Sequence, residues 1–329
     1  MKKIVSSVLV IVMCLGISGC GSFNDDTVAK INGDPVSKGM LEYFVFTVKN
    51  SLASENTSNL ESFWDEGTIE GVNAGQYVKE QAMEAILTGY VIRQQAIKNG
   101  SDLTDTEKNE IETSRQATIE QFGGLEQYKE ALKPYGLTDE VYTEMLKNRK
   151  YEQNYFASVK GKYTDDELKK YYTQNMFRIK HVLISNKNSE TEEALQGDDL
   201  AMARATAADI EKRAKDGEDF DKLVAEYSQD PGSQTSPDGY LMGSASSMVK
   251  PFLEKSVEMK EGEVSDIVET MYGYHILKKY PVVESEFEAQ KDSIINEYWQ
   301  YAVSEWGKDA KVEYNKPVFD AVSVAASGS

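Results

Sequence analysis

The 329-residue sequence predicts an α+β fold: a compact unit with a small antiparallel sheet and surrounding helices, inserted in a mainly helical domain. Three observations carry this. Apolar residues recur at four-residue steps before residue 176 and again after Pro281, as on helix faces. Between Phe177 and Tyr280 the period shortens to the alternation of strands, broken by short helical runs. The chain is 40% hydrophobic and 28% charged, enough to bury a core, and its length fits two domains better than one.

The elements follow in order. Val28 and Ile31 alternate in a short strand that turns at Asn32-Gly33. Val78, Ala82, Ile86 and Tyr90 share one face of a helix over 76–99, which Gly100 ends. Thr104 to Glu107 and Thr164 to Glu167 fit capping boxes, in which each Thr and Glu side chain satisfies free amides of a new helix. A further helix is expected from Asp139 to about Val159, after a break at Pro134-Tyr135-Gly136. Phe177 to Ile184 reads as a strand, Leu200 to Ala214 and Phe220 to Tyr227 as helices, and Val264 to Val268 and Tyr274 to Tyr280 as extended. Ser285 to Glu288 is another capping box, ahead of Ile294, Tyr298, Ala302 and Trp306 at four-residue steps. The expected boundaries are therefore a helical part over 21–175, an α+β unit over 176–281, a C-terminal helix completing the helical domain over 282–318, and a disordered tail from 319. The alternative is three modules in a row. A lone amphipathic helix is marginal in water, so the helix after Ser285 must bury its stripe, and the earlier helices are the nearest candidates.

Residues 1–19 read as an export signal. Lys2 and Lys3 precede the apolar run Ile4 to Leu15, which is too short to span a bilayer comfortably. It ends in Leu15-Gly16-Ile17-Ser18-Gly19-Cys20, which resembles the lipobox of bacterial lipoproteins. That resemblance implies cleavage before Cys20, lipidation of Cys20 as the new N-terminus, and a chain tethered to a membrane outside the cytoplasm. Cys14 would leave with the signal, so no internal disulfide is expected.

Composition excludes several functions. Acidic residues outnumber basic ones 55 to 36, giving a formal charge of −19, and no Lys/Arg-rich run relieves it, so nucleic acid is not a partner. Two His and two Cys are too few for a His/Cys metal cage, so no metal and no cofactor are expected. Neither a Gly-x-Ser-x-Gly elbow nor a His-Glu-x-x-His motif argues for a hydrolase. The repeated strand–helix units with glycine-rich turns of a solute-binding protein are also missing.

The two histidines are the scarcest reactive side chains. His181 shares a strand face with Phe177, Ile179 and Leu183, and His275 lies in Tyr272-Gly273-Tyr274-His275-Ile276-Leu277. Taken alone, a His on an apolar strand face is more often a satisfied core residue than a catalyst. Two in one small sheet raise the odds that they are neighbours.

Five motifs in order then carry a resemblance: Lys180 to Ile184, Tyr227 to Ser233, Met248 to Phe252, Gly262 to Ser265, and Tyr272 to Leu277. Together they resemble the parvulin-type peptidyl-prolyl isomerases. Ile31-Asn32-Gly33, Gly136-Leu137-Thr138, and Thr164 to Glu167 ahead of Tyr171-Tyr172 resemble the helical chaperone domain that accompanies parvulin domains in exported foldases. With the lipobox, the whole mature chain is similar to the extracellular foldase lipoproteins of Gram-positive bacteria.

The resemblance implies a polar floor of His181, Asp230, Thr270 and His275, and a proline-ring pocket of Leu241, Met248 and Phe252. Asp230 falls where the family has Cys or Asp; its ordinary reading is the Asp of an Asp-Pro-Gly turn, and one residue can do both. Met248 and Phe252, four apart, also fit the core face of a helix. One segment departs from the family: Asp238 to Ser247 is one residue short, and the second pocket aromatic lacks a clear counterpart, with Tyr240 and Met242 as candidates. Asn186 to Asp199 holds one Lys and five acidic residues, so no phosphate-directed specificity is expected.

The chemistry needs no nucleophile and no metal. Rotation about an X-Pro bond faces a barrier of ~18–20 kcal/mol because amide resonance must be broken. A catalyst must hold the ring in an apolar recess, keep water from the carbonyl and favour the twisted amide. Expected partners are unfolded or partly folded exported proteins with X-Pro bonds and, through the anchor, the membrane; a homodimer is left open. Two function classes stand: an isomerase that speeds folding, and a holdase whose α+β unit is only a spacer or second binding surface.

Overall fold

A computed structural model describes residue 23 and residues 25–55, 61–69, 71–189, 191 and 193–324. The export segment, Cys14 and Cys20 lie outside the described residues. Contacts divide the chain into two compact units, Tyr163–Ala302 and the segments on either side of it. No described helix is long and apolar enough to cross a membrane.

The flanking unit begins with β1 (Thr27–Ile31) and β2 (Asp34–Ser37), joined at Asn32-Gly33. Asn32 has φ 52° and Gly33 φ 94°, the left-handed pair that a two-residue hairpin requires. The helices α1 (Lys38–Glu55) and α2 (Glu61–Glu66) and the ribbon β3 (Thr68–Ile69) and β4 (Val72–Asn73) follow. In α3 (Ala74–Lys98) the predicted stripe of Val78, Ala82, Ile86 and Tyr90 is buried, and Gly100 leaves the helix at φ 75°. Next come α4 (Asp105–Gln121), α5 (Leu125–Leu132) and α6 (Asp139–Lys160). Thr104 and Glu107 form the predicted capping box of α4, and the Thr138 side chain caps α6.

The second unit opens with α7 (Asp165–Asn175), begun by the Thr164/Glu167 capping box, and runs into β5 (Phe177–Ser185). After α8 (Gly197–Lys215), α9 (Phe220–Tyr227) and the single turn α10 (Gly232–Thr235) come β6 (Tyr240–Met242), α11 (Lys250–Glu258), β7 (Val268–Thr270) and β8 (Gly273–Tyr280). The strands form one antiparallel sheet in the order β6-β5-β8-β7. Because strand side chains alternate, β5 feeds two cores. Val182 and Ile184 face Ile210, Phe220 and Leu223 of α8 and α9, while Phe177 and Ile179 face Phe252 of α11 and Met242. Each large apolar side chain so buried contributes about 1.5–3 kcal/mol.

Last come α12 (Phe287–Lys308), β9 (Val312–Tyr314), which pairs with β1, and α13 (Lys316–Asp320). Leu168, Tyr171 and Tyr172 of α7 bury against Phe287 and Ile294, which is why the first turns of α12 group with the sheet unit.

Two expectations are corrected. Ser285 does not cap α12: a 3-10 turn over Glu284–Glu286 leads in, held where Tyr172 Oη donates to the Val283 carbonyl (3.1 Å) and Glu286 pairs with Arg178. Nor are residues 319–324 disordered, because Phe319, Val322 and Val324 are buried and the Lys79 ammonium donates to the Phe319 and Asp320 carbonyls; the rest of the tail lies outside the described residues.

Candidate active site

The site is built where three connections meet β5. Strand β5 pairs with β8 so that Leu183 faces His275 and His181 faces Leu277, which makes the histidines diagonal neighbours on one sheet face. Their ring centroids are 5.2 Å apart. On its other side, beyond β6, the edge of β5 is covered by the chain after α9. Leu183 N–H donates to Ser228 Oγ (3.2 Å), Gln229 N–H to the Leu183 carbonyl (2.9 Å), and Ser185 N–H to Gln229 Oε1 (2.7 Å). This pairing delivers the next residue, Asp230, with Oδ2 3.7 Å from His181 Nε2.

Asp230 is the hub of the polar floor. Its Oδ2 accepts from Tyr240 Oη (2.7 Å) and Ser233 Oγ (2.9 Å), and its Oδ1 from Gly232 N–H (3.3 Å). Thr270, at the end of β7, holds the other end: its hydroxyl and His275 Nε2 lie 2.8 Å apart, and it accepts from Tyr272 N–H (3.1 Å). The two imidazoles do not hydrogen-bond each other; each Nδ1 is buried without a partner among the described residues.

The apolar wall is Phe252 of α11. It is only 3% exposed and meets His181 and His275 edge-on at 5.0 and 5.4 Å, the geometry in which a positive ring edge faces a neighbouring π-surface. Met248 precedes α11 and is 37% exposed, so Met248 and Phe252 do not form a helix stripe.

Sequence reasoning put Leu241 in the recess, and the structure places it elsewhere. In β6 the register is Phe177↔Met242, Arg178↔Leu241 and Ile179↔Tyr240, so Leu241 faces away and packs on the α7/α12 cluster. Tyr240 takes the inner position. Its ring stacks on His181 at 5.8 Å and its hydroxyl donates to Asp230. A period of two from the buried Met242 is the signal that points to Tyr240. Ser228, Gln229 and Ser233, which hold Asp230 and the edge of β5, lie inside the Tyr227 to Ser233 motif, and nothing in their spacing alone marks them apart from it.

Burial sets the charge state of the floor. It lowers the pKa of His181, against the opposing pull of Asp230. His275 is pushed down to about 3 by burial first and by His181 next, again against Asp230. Both rings are therefore neutral at pH 7. Burial would raise the Asp230 carboxyl, but Tyr240, His181, Ser233 and the Gly232 amide together hold it below its ordinary value. Burial, then Asp230, pushes the Tyr240 phenol up, which keeps it a donor.

A pH dependence follows. The unfolded chain protonates residue 275 near pH 6.5 and the folded chain only near 3, so between these values the unfolded state binds more protons. This contribution is complete above pH 6.5 and lost as pH falls, by about 2 kcal/mol between pH 7 and pH 5. Urea unfolding at both pH values, repeated on His275→Gln, reads it: the variant should lose less stability than the parent, and equal losses would refute the assignment.

The family described as the PPIC-type PPIase domain matches residues 162–280, and the SurA-like N-terminal domain matches residues 1–156. The foldase protein PrsA of Caldanaerobacter subterraneus subsp. tengcongensis is 28% identical over 304 residues, covering 89% of this chain and 87% of the relative. PrsA of a Geobacillus species is 37% identical over 166 residues, 46% of this chain and 53% of that one. Among solved structures, PrsA of Bacillus anthracis aligns at 20% identity over 73% of this chain and 94% of that chain, with a TM-score of 0.32. The class is thus defined as a peptidyl-prolyl cis/trans isomerase of the PPIC (parvulin) type, carried between helical segments. Over most of its length the chain is similar to the PrsA-type foldases.

Proposed function

We propose that this chain is a foldase anchored by a lipid on Cys20 at the outer face of the bacterial cell membrane, where it isomerises X-Pro bonds in unfolded exported proteins. The anchor rests on Lys2, Lys3, the apolar run and Leu15 to Cys20. In this reading 176–281 is the isomerase domain, and 21–175 with 282–318 the chaperone part. The observation that carries the reading is a pair of buried, neutral imidazoles walled edge-on by Phe252 and braced by Asp230 and Thr270.

The chemistry follows from that arrangement. Phe252 and Met248 grip the proline ring from an apolar side, which strips water from the carbonyl and favours the less polar twisted amide. Asp230, with its donors Tyr240 and Ser233, holds His181 in place; Thr270 does the same for His275. No proton need move, since rotation breaks resonance and not a σ bond. Neutral rings suit the task, because a buried charge would draw water into the recess.

A refolding assay limited by X-Pro isomerisation separates this from the holdase alternative. An isomerase accelerates the slow phase when present at a small fraction of the client concentration, since uncatalysed exchange takes tens of seconds. Suppression of aggregation only at equimolar ratio, with the slow phase unchanged, would leave the holdase.

A further inference from the structure

Glu297, on the inner side of α12, is buried at 8% exposure, and no chemistry described above uses it. Its oxygens are nevertheless occupied. Oε1 accepts from Ala245 N–H (3.1 Å) and Oε2 from Ser246 Oγ (2.8 Å), while Ser246 Oγ itself accepts from Gly243 N–H (2.9 Å). Met248 N–H then donates to the Ser246 carbonyl (2.9 Å). One carboxylate therefore gathers the donors of residues 243–246, and the next turn of the chain hangs from that knot. Gly243 fits the same picture: a Cβ there would clash with the Glu297 carboxylate, so any other residue would push the carboxylate away from the backbone. Burial raises the Glu297 carboxyl against these hydrogen bonds, and Tyr171, whose buried hydroxyl has no partner among the described residues, lies within reach of its charge.

The position of the knot gives it a role. Segment 243–249 joins Tyr240, which stacks on His181, to Phe252, which meets both histidines edge-on, and it carries the exposed Met248. It overlaps Asp238 to Ser247, the stretch whose sequence reads as one residue short of the parvulin pattern. We propose that Glu297 is a positioning residue for prolyl isomerisation, clamping residues 243–246 so that the segment leading to Met248 and Phe252 holds one conformation beside the histidine floor. The proposal rests on the isomerase reading of the recess. A buried carboxylate that only filled space would be replaceable by an apolar residue; one that clamps donors is replaceable only by another acceptor.

The test compares Glu297→Gln, which keeps an acceptor oxygen, with Glu297→Met, which keeps the bulk and loses it. Both are made in the full mature chain and measured by NMR exchange on an Ala-Pro tetrapeptide, with the 13Cε methyl signal of Met248 as a second readout. Glu297→Met should raise KM about tenfold with kcat changed far less, and move the Met248 signal; Glu297→Gln should restore both. A Met variant with parental KM and an unmoved Met248 signal overturns the clamp, as does a KM loss that follows the melting temperature alike in both variants. If the parent chain itself isomerises nothing, the functional reading fails by itself, and the Met248 signal still decides whether Glu297 holds the segment.

Discussion

Phe252→Ala should abolish most of the isomerase activity, lowering kcat/KM about a hundredfold, the size of effect that a misplaced reacting group produces. The ring is buried in the core cluster with Ile179, Met242 and Leu277 and forms the wall nearest both imidazoles. Its removal also leaves a cavity, at about 3–5 kcal/mol of stability, so the alanine variant alone would confuse folding with function. Phe252→Leu separates them. Leucine fills most of the volume at a cost below about 1.5 kcal/mol, yet presents no flat edge to the histidines. Exchange NMR on a prolyl peptide, with a thermal melt alongside, should find the leucine variant folded and at least tenfold slower, by loss of an aromatic contact worth about 0.5–1.5 kcal/mol together with ring placement. A leucine variant of full activity would mean that Phe252 serves the core only.

Asp230→Ala should be the most destabilising change in the polar floor. It strands the Tyr240 and Ser233 hydroxyls and the Gly232 amide, all half-buried, and removes a negative charge beside His181. Unsatisfied donors cost about 1–3 kcal/mol each where buried; with partial exposure the sum should be about 3 kcal/mol in urea unfolding at pH 7. Asp230→Asn keeps one acceptor oxygen and should recover about half. The pH dependence has a definite sign: the folded-state carboxyl lies below its ordinary value, so its contribution is present above the unfolded pKa and is lost as pH falls through the folded one. Activity should fall in the alanine variant as Tyr240 swings off His181. A variant unfolding within about 0.5 kcal/mol of the parent would show that Asp230 is only a turn residue.

Much of this protein was legible in its residues. The helix stripe Val78 to Tyr90, the Thr104 and Thr164 caps and the alternation of Phe177 to Ile184 depend on contacts within a few positions, and local spacing is what sequence periodicity records. The Ser285 cap and the start of the tail, residues 319–324, depart from the local reading for the complementary reason. Tyr172 and Arg178, more than a hundred residues upstream, set the entry to α12, and Lys79 helps to hold Asp320.

The candidate site divides the same way. That His181 and His275 sit on strands, and that an Asp-Pro-Gly turn stands between them, is written in nearest-neighbour order. That the two rings meet is a matter of register: a slip of one residue between β5 and β8 would send one imidazole to the opposite face, and no local pattern forbids it. Leu241 and Tyr240 show the same limit most plainly. Both are apolar enough for a wall, and only the pairing of Ile179 with Tyr240 turns the tyrosine inward and the leucine out. Chemistry and local conformation are properties of short stretches and were present in the residue order. The facing of side chains across the sheet, and the reach of Glu297 to a loop some fifty residues away, are long-range contacts that exist only once hydrophobic burial has chosen one register and one packing.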